Sequence, residues 1–478
     1  MGAHRSASRR FLLLAVALAC VLTVGGRAVL AEQARPSPDW AQARDETVRR
    51  LCDLIRIDTS NPPGNETKAA EYLKAVLDKE GIPAKILELE PGRGNLVARL
   101  KGNGKKRPIL LMGHTDVVGV ERDRWTVDPF AAVVKDGYVY GRGAADNKDK
   151  AAAYLEVLLL LHQLQIPLDR DVIYLAQAGE EATPRFGIEF VVEQHWEEIA
   201  CEFALDEGGV AYSQDGRIQY VGIATTEKSP RPAKLVAKGS PGHGSKPRPD
   251  NAITHLAAAV ARMGTFQLPM RLNETTEAFF KGLATRVPPD EAYLFTHLKD
   301  PKETEKVQET FRTRYLGYNS MVRTTISPTI LKGGFRINVI PGEAEAQLDI
   351  RILPDEDLDA LEATLRSAIA DPAVEVTLTK TGRPISPPMR LDSEMYRALE
   401  RSQAAVFPQT VTLPMQLSGA TDMAQLRAKG VQAYGLGTVM AEEDVGRIHG
   451  NDERASVDGL GKFVEYVYRA VAEVAAAR

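Results

Sequence analysis

The chain has 478 residues, of which 26% are charged and 44% hydrophobic, with a formal net charge of −4; this length calls for more than one domain. No basic run or patch stands out in the sequence, which argues against nucleic acid and anionic membranes as partners. The cysteines are Cys20, Cys52 and Cys201, too few for a disulfide framework, so packing rather than cross-linking must hold the fold together.

Residues 1–31 read as a secretory signal peptide. Arg5, Arg9 and Arg10 precede an apolar core from Phe11 to Val24, and Val29-Leu30-Ala31 forms a small-residue cleavage site. The apolar core is short for a membrane span, so an uncleaved anchor is the less favoured alternative, and no stable membrane insertion is expected after cleavage. Lipid modification of Cys20 is disfavoured because Ala17 stands where such signals usually carry Leu. Cleavage removes four arginines and no acids, which takes the net charge to −8. A secreted or periplasmic protein is the expectation.

The spacing predicts a helix from Trp40 to Arg56, a turn-rich loop from Asp58 to Gly64, and a second helix from Glu66 to Lys79 that stops at Gly81 and Pro83. Strands are expected at Lys85–Leu89 and Asn95–Leu100. Pro108–Met112 and Asp171–Ala176 are short apolar runs between breakers and read as buried strands. Between them, Tyr154, Val157, Leu158, Leu161 and Leu164 recur at helical spacing over 147–164. Strand, helix and strand imply a parallel pair with a right-handed crossover, and ligands of such sheets bind beyond the carboxyl ends of the strands. His114, Asp116, Glu180 and Glu181 all fall at such ends. A further strand, Phe203–Leu205, runs into Asp206 and Glu207, and Asp146 follows Gly141-Arg142-Gly143.

Each signal alone is weak. A lone His-x-Asp means little, Asp146 could cap the helix after it, and Glu180-Glu181 could be a solvated pair. Together they put acids and a histidine in one crevice, where they would repel by several kcal/mol or take up protons unless neutralised. A divalent metal is the simplest remedy. Imidazole and carboxylate ligands suit zinc, with cobalt or manganese as looser fits.

Beyond Val221 the composition changes. Thr225–Pro232 reads as a polar, proline-bearing connection to a second domain. There Ala233–Ala237 is a strand, His243 lies in Pro241-Gly242-His243-Gly244-Ser245, and Asn251–Met263 is an amphipathic helix. Glu274–Tyr315 is charged and mostly helical, and either lines the cleft or is purely structural. Asn338 precedes Val339-Ile340-Pro341-Gly342, and Arg351 ends a strand; its planar fork suits a carboxylate, though a strand-edge salt bridge is the plainer alternative. The chain returns to the first domain near Pro384. Gly419, in the small-residue loop Ser418–Asp422, would permit close backbone approach to a substrate. Gln432–Leu436 is a strand, a loop carries His449, and Val457–Ala475 is an amphipathic helix.

The segments MGHTDVV, GRGAADNK, GEE, LDEGG and IHGNDER resemble, in order and over nearly all of the mature chain, the dinuclear zinc hydrolases of the aminoacylase, carboxypeptidase S and succinyl-diaminopimelate desuccinylase family. The resemblance implies an α/β, zinc-dependent exopeptidase-like catalytic domain (40–228 and 384–478) with an inserted smaller α+β lid and dimerisation domain (229–383). It implies that His114 and Glu207 or Asp206, with Glu207 favoured, bind one zinc, Glu181 and His449 the other, and that Asp146 bridges them. Asp116 would orient His114, and Glu180 would be the general base. His243 matches a histidine that reaches across a homodimer to the partner's reaction centre, and Asn338 and Arg351 match residues that contact substrate. Gly179 departs from the acid that relatives often have before the base. The helical stretch 274–315 looks like that of the carboxypeptidase S branch.

Charge counting agrees with this assignment: two dications, three ligand carboxylates and a hydroxide are neutral together, which leaves Glu180 free to handle protons. The expected reaction is hydrolysis of an amide bond beside a carboxylate, in an N-acyl amino acid or short peptide, by a zinc-activated water. A zinc aminopeptidase is the nearest rival, opposed by the inserted domain and GRGAADNK. A catalytically silent, metal-stabilised binding protein is the other, opposed by Glu180.

Overall fold

The computed structural model describes residues 37–477; the signal-peptide reading falls on residues 1–31 and lies outside them. Helices α1 (Trp40–Ile55) and α2 (Glu66–Lys79) lead into strands β1 (Ala84–Glu88) and β2 (Gly94–Leu100). Next come β3 (Ile109–His114), α3 (Lys148–Gln163), β4 (Val172–Gln177) and β5 (Phe203–Asp206). β3 pairs in parallel with both β4 and β5, as strand–helix–strand spacing requires. β6 (Val210–Gln214) and β7 (Arg217–Glu227) then pair antiparallel.

From there the chain builds a second sheet from β8 (Ala233–Lys238), helix α4 (Ala252–Thr265), β9 (Thr325–Gly333), β10 (Glu343–Ile352), helix α5 (Leu358–Ile369) and β11 (Val374–Leu378). It returns through helix α6 (Glu394–Val406) to add β12 (Val411–Leu417), β13 (Gln432–Gly435) and β14 (Val439–Ala441) to the first sheet, and ends in helix α7 (Val457–Ala475). The first sheet has the order β1-β2-β4-β3-β5-β13-β7-β6-β14, with β12 beside β7.

Along β3, side chains alternate between two cores. Ile109 and Leu111 pack with Leu51, Leu158 and Val467 of α1, α3 and α7, while Leu110 and Met112 meet Ile188, Val191 and Leu426 on the other face. Being covered on both faces is why these strands read as unbroken apolar runs. β8 instead alternates, with Ala233, Leu235 and Ala237 packed on Leu256 and Met263 of α4 and Leu361 and Leu365 of α5. It belongs to a sheet with one covered face.

Two features go beyond the sequence expectation. The polar connection from Thr225 is buried: β7 runs on to Glu227, and Thr225, Thr226, Glu227, Lys228 and Ser229 are all out of solvent. Partners make this tolerable, since Glu227 accepts from Arg427 at 2.9 Å and from the Thr421 hydroxyl at 2.7 Å. Second, helices between Glu274 and Met321 pack through Phe279, Phe280, Phe295 and Phe311 against Tyr220 of β7 and Leu413 of β12. This segment, though placed in sequence among the second sheet's elements, is docked on the first sheet. Among the described residues, no helix is long and apolar enough to cross a membrane.

Candidate metal centre

His114 is the last residue of β3 and is buried. Its Nδ1 lies 3.0 Å from the carbonyl oxygen of Asp116 and 3.4 Å from the Asp116 carboxylate. An acceptor on that side puts the ring proton on Nδ1 and leaves the Nε2 lone pair for a metal. Nε2 faces Asp146 Oδ1 at 3.1 Å and Glu207 Oε2 at 3.6 Å. On the other side of Asp146, Oδ2 lies 3.2 Å from His449 Nε2, which is 3.1 Å from Glu181 Oε2. Two triads therefore share Asp146, His114–Asp146–Glu207 and Asp146–Glu181–His449, each with its donor atoms within 4.8 Å of one another.

The electrostatics test whether metals fit. His449 is pushed up to about 10 by its hydrogen bonds to Asp146 and Glu181. Burial works against a charge on His114, yet Glu207, Asp116 and Asp146 still raise its pKa well above the usual value. For Asp146, burial opposes ionisation and is outweighed by His114 and His449, so its carboxyl is held far below the ordinary range. The cage thus favours positive charge at both histidines. Two hard-to-borderline divalent cations, with nitrogen and carboxylate donors, satisfy that demand.

The surrounding residues set these positions. Asp116, fully buried, accepts the backbone N–H of Glu180 and of Glu181, both at 3.1 Å, and the Asn61 amide at 2.8 Å. One carboxylate thereby fixes both the His114 ring and the Glu180-Glu181 turn. Burial alone would raise the pKa of Asp116, but His114, Asn61 and the Glu181 N–H lower it. Glycine is required at 179, just before Glu180: its φ is +79°, and a Cβ would stand 2.6 Å from the Thr183 carbonyl oxygen. Glu453, also buried, accepts N–H groups from Gly143 (3.1 Å), Ala145 (2.8 Å) and Asp146 (3.1 Å), and Arg142 Nη1 at 2.6 Å. It nests the loop that carries Asp146. Asn147 donates to Glu207.

Asp206 and Glu207 part company. Successive residues at a strand end point to opposite sides, and Glu207 joins the His114 triad while Asp206 does not. Both Asp206 carboxylate oxygens are buried without a hydrogen-bond partner, and burial, then Glu207 and Asp422, push its carboxyl well above the usual range. Asp206 is buried behind the site and lies outside both triads.

Glu180 stands outside both triads. Its Oε1 accepts from Arg383 at 2.7 Å, and Arg383 also donates to Asp422 at 2.9 Å, which accepts from Gln177 at 2.6 Å. Burial, with Asp422 and Glu207 adding, raises the Glu180 carboxyl well above its ordinary value, the environment of a group suited to exchanging protons.

The remaining site residues named from sequence lie elsewhere. His243 is exposed, and its Nδ1 meets the Ser245 N–H at 3.1 Å; it sits on a two-residue ladder opposite Val339, next to Asn338. Arg351 pairs with Asp349 at 2.9 Å, the strand salt bridge that sequence left as the alternative. Gly419 is exposed, with open space where a Cβ would be. Sequence reading passed over Asn61, Glu453, Gln177, Arg383 and Asp422. The charges of Arg142 and Glu453, each inside a quoted motif, were the available signal for one of these contacts.

The profile of peptidase family M20/M25/M40 matches residues 110–473. Human N-fatty-acyl-amino acid synthase/hydrolase PM20D1 is 28% identical over 447 residues, covering 90% of this chain and 87% of that protein. Aminoacylase-1 of Sus scrofa is 27% identical over 416 residues, covering 85% and 90%. Among solved structures, the M20 family metallo-carboxypeptidase Sso-CP2 from Sulfolobus solfataricus superposes with a TM-score of 0.66 at 20% identity, over 90% of this chain and all of that one.

Proposed function

Because the chain belongs to peptidase family M20/M25/M40, and so is a hydrolase of amide bonds, we propose that it cleaves N-acyl amino acids, with two divalent metals bound by His114, Asp146, Glu181, Glu207 and His449 and with Glu180 as general base. The observation that carries this reading is the pair of triads sharing Asp146, with Glu180 beside them and engaged by neither. The names of the relatives, an N-fatty-acyl-amino acid synthase/hydrolase and an aminoacylase, support an acyl amino acid over a peptide with a free amine.

Zinc, or cobalt or manganese, would supply there a water of lowered pKa and a Lewis acid for the amide carbonyl. Asp146 would be shared by the two metals, His114 and Glu207 would hold one, and Glu181 and His449 the other. Glu180 accepts a proton from the attacking water and delivers it to the departing amine nitrogen. Arg383 orients the Glu180 carboxylate, and Asp116 keeps the turn that carries it in register with His114. Arg351 and Asn338, on the second sheet, are the proposed partners of the substrate carboxylate, which requires Arg351 to exchange Asp349 for substrate.

Residues 229–383 are proposed as the inserted lid and dimerisation domain. In support, β9 is an edge strand, and beyond it Phe335 and Ile337 are 83% and 101% exposed, an apolar edge that a second copy would cover. A homodimer would let the exposed His243 act at the partner's centre, stabilising developing oxyanion charge. Export through the signal peptide completes the proposal.

The test is an assay of the mature protein, metal-loaded and chelated, against N-acyl amino acids, dipeptides and free-amine aminopeptidase substrates. Metal-dependent release of amine from substrates with a free carboxylate is expected. Cleavage of free-amine substrates alone would transfer the assignment to an aminopeptidase. Glu180→Gln should lower turnover by about 10²- to 10⁴-fold with metal content unchanged; loss of metal would place Glu180 among the ligands.

A further inference from the structure

A cavity of about 380 Å³ opens off the metal centre, a volume within the range of small-molecule sites. Asp146 and Glu207 form part of its wall, and the apolar wall includes Val210, Met415, Met440 and Ile448. The space is built by glycine: a Cβ on Gly222 would fall 1.9 Å from Met415 Sδ, so its absence is what lets that side chain lie where it does. Among the described residues, the one cation lining the cavity is Lys150, which is buried, donates to the Ala145 carbonyl and pairs with Asp149 at 3.2 Å. A substrate carboxylate finds no unengaged cation there. The cavity suits hydrocarbon.

Tyr212 and Tyr220 face each other across β6 and β7, their rings stacked at 5.3 Å and 21°. With Val445 they line this cavity and also a second one of about 470 Å³, whose other walls include Leu283, Tyr315 and Leu316 of the helical segment. Tyr220 in turn meets Phe279 of that segment edge-on at 6.2 Å. Leu316 and Val445 are large apolar side chains left 70% and 46% exposed at the second cavity.

The carbonyl under attack in an N-acyl amino acid belongs to the acyl group, so the chain attached to it would leave the centre through whatever apolar space adjoins Asp146 and Glu207. We propose that the inner cavity holds the substrate's acyl chain, and that longer chains pass Tyr212, Tyr220 and Val445 into the outer cavity, so that the helices between Glu274 and Met321 set the upper limit of chain length. This rests on the N-acyl amino acid reading above. It gives the helical segment, docked on the first sheet through aromatic side chains, a part in substrate selection.

The experiment measures kcat/KM of the metal-loaded protein for N-acylglycines from acetyl to hexadecanoyl, alongside calorimetric binding of hexadecanoate. A rise of about fourfold per methylene through the medium chains is expected, with hexadecanoyl still accepted and hexadecanoate bound. Val445→Trp and, as an independent variant at an exposed position, Leu316→Trp should each lower the hexadecanoyl-to-butyryl ratio by about tenfold, the worth of fewer than two buried methylenes. A flat or falling profile, or ratios unmoved in both variants, overturns the proposal. Hydrolysis of acetyl substrates without hexadecanoate binding would sink the cavity assignment and leave the proposed reaction standing. Hexadecanoate binding that Val445→Trp abolishes, with no N-acyl substrate hydrolysed, would sink the reaction and leave the cavity.

Discussion

Arg383 donates from Nη2 to Glu180 Oε1 at 2.7 Å, so the candidate base is held by a residue on the stretch of chain returning from the second sheet to the first. The same guanidinium grips Asp422, and a fork shared between two carboxylates leaves Glu180 little rotational freedom. Arg383→Met keeps the stem and removes the fork. We expect kcat to fall about 10²-fold, the lower end of a positioned base's contribution, with metal content unchanged by elemental analysis. Full activity in this variant would remove Arg383 from the reaction.

The two neighbouring acids at the end of β5 should separate cleanly. Glu207→Gln is expected to lose metal from one of the two positions, because its carboxylate is one of three groups in the His114 triad. Asp206→Asn should keep its metal, since Asp206 lies outside both triads and the amide has a similar shape. Titration of metal per chain checks both; the reverse pattern would make Asp206 the ligand.

Asp116 joins His114, Asn61 and the Glu180-Glu181 turn. Removing a carboxylate behind a ligating histidine lowers metal affinity or activity by roughly 10- to 100-fold. Asp116→Ala should show the loss in competition with a chelator of known affinity, and the shift should be larger than for Asn61→Ala, which gives up one of Asp116's hydrogen bonds rather than the carboxylate itself.

Glu453 accepts three backbone N–H groups and Arg142 while 1% exposed. In Glu453→Ala those donors stay buried without a partner, at about 1–3 kcal/mol each and more for the charged one. The variant should melt several degrees lower in calorimetry and bind metal more weakly, because the displaced loop carries Asp146. An unchanged melting temperature would contradict this account.

Lys228 is buried with its Nζ donating to the Ser320 carbonyl at 2.9 Å and the Thr325 hydroxyl at 2.9 Å. Burial, with Arg351 nearby, pulls its pKa down from 10.5 to about 7. The sign follows from proton counting: between pH 7 and about 10 the unfolded chain holds a proton that the folded one has lost, so stability rises with pH, by at most about 1.4 kcal/mol per unit. Relative to Lys228→Met, the wild type should therefore gain stability between pH 7 and 10 in parallel urea titrations. A gap that stays constant would mean the amine keeps its proton in the fold.

Much of the architecture was legible because its signals are local. The apolar runs at 109–112 and 172–176 are long enough to be strands and too short for helices, and the intervening period is helical, so a parallel crossover with His114 and Glu180-Glu181 at the strand ends followed from spacing alone. The burial of the polar stretch at 225–229 was not legible because polarity reports a wish for hydrogen bonds, not for water, and Arg427 and Thr421 supply those bonds from far along the chain.

The sequence by itself determined which residue types cluster at the carboxyl ends of the strands, and hence a metal centre of histidines and carboxylates with a spare glutamate. Only the tertiary structure brought Glu207 rather than Asp206 beside His114 and Asp146, since the pleat sends consecutive side chains apart. It also decided that Arg383 grips Glu180 across 203 residues and that Glu453 nests the Asp146 loop across 307. Periodicity and turn chemistry act over a few residues, whereas a buried carboxylate is satisfied by whichever donor the packed chain brings to it, and that choice leaves no mark in the neighbouring sequence.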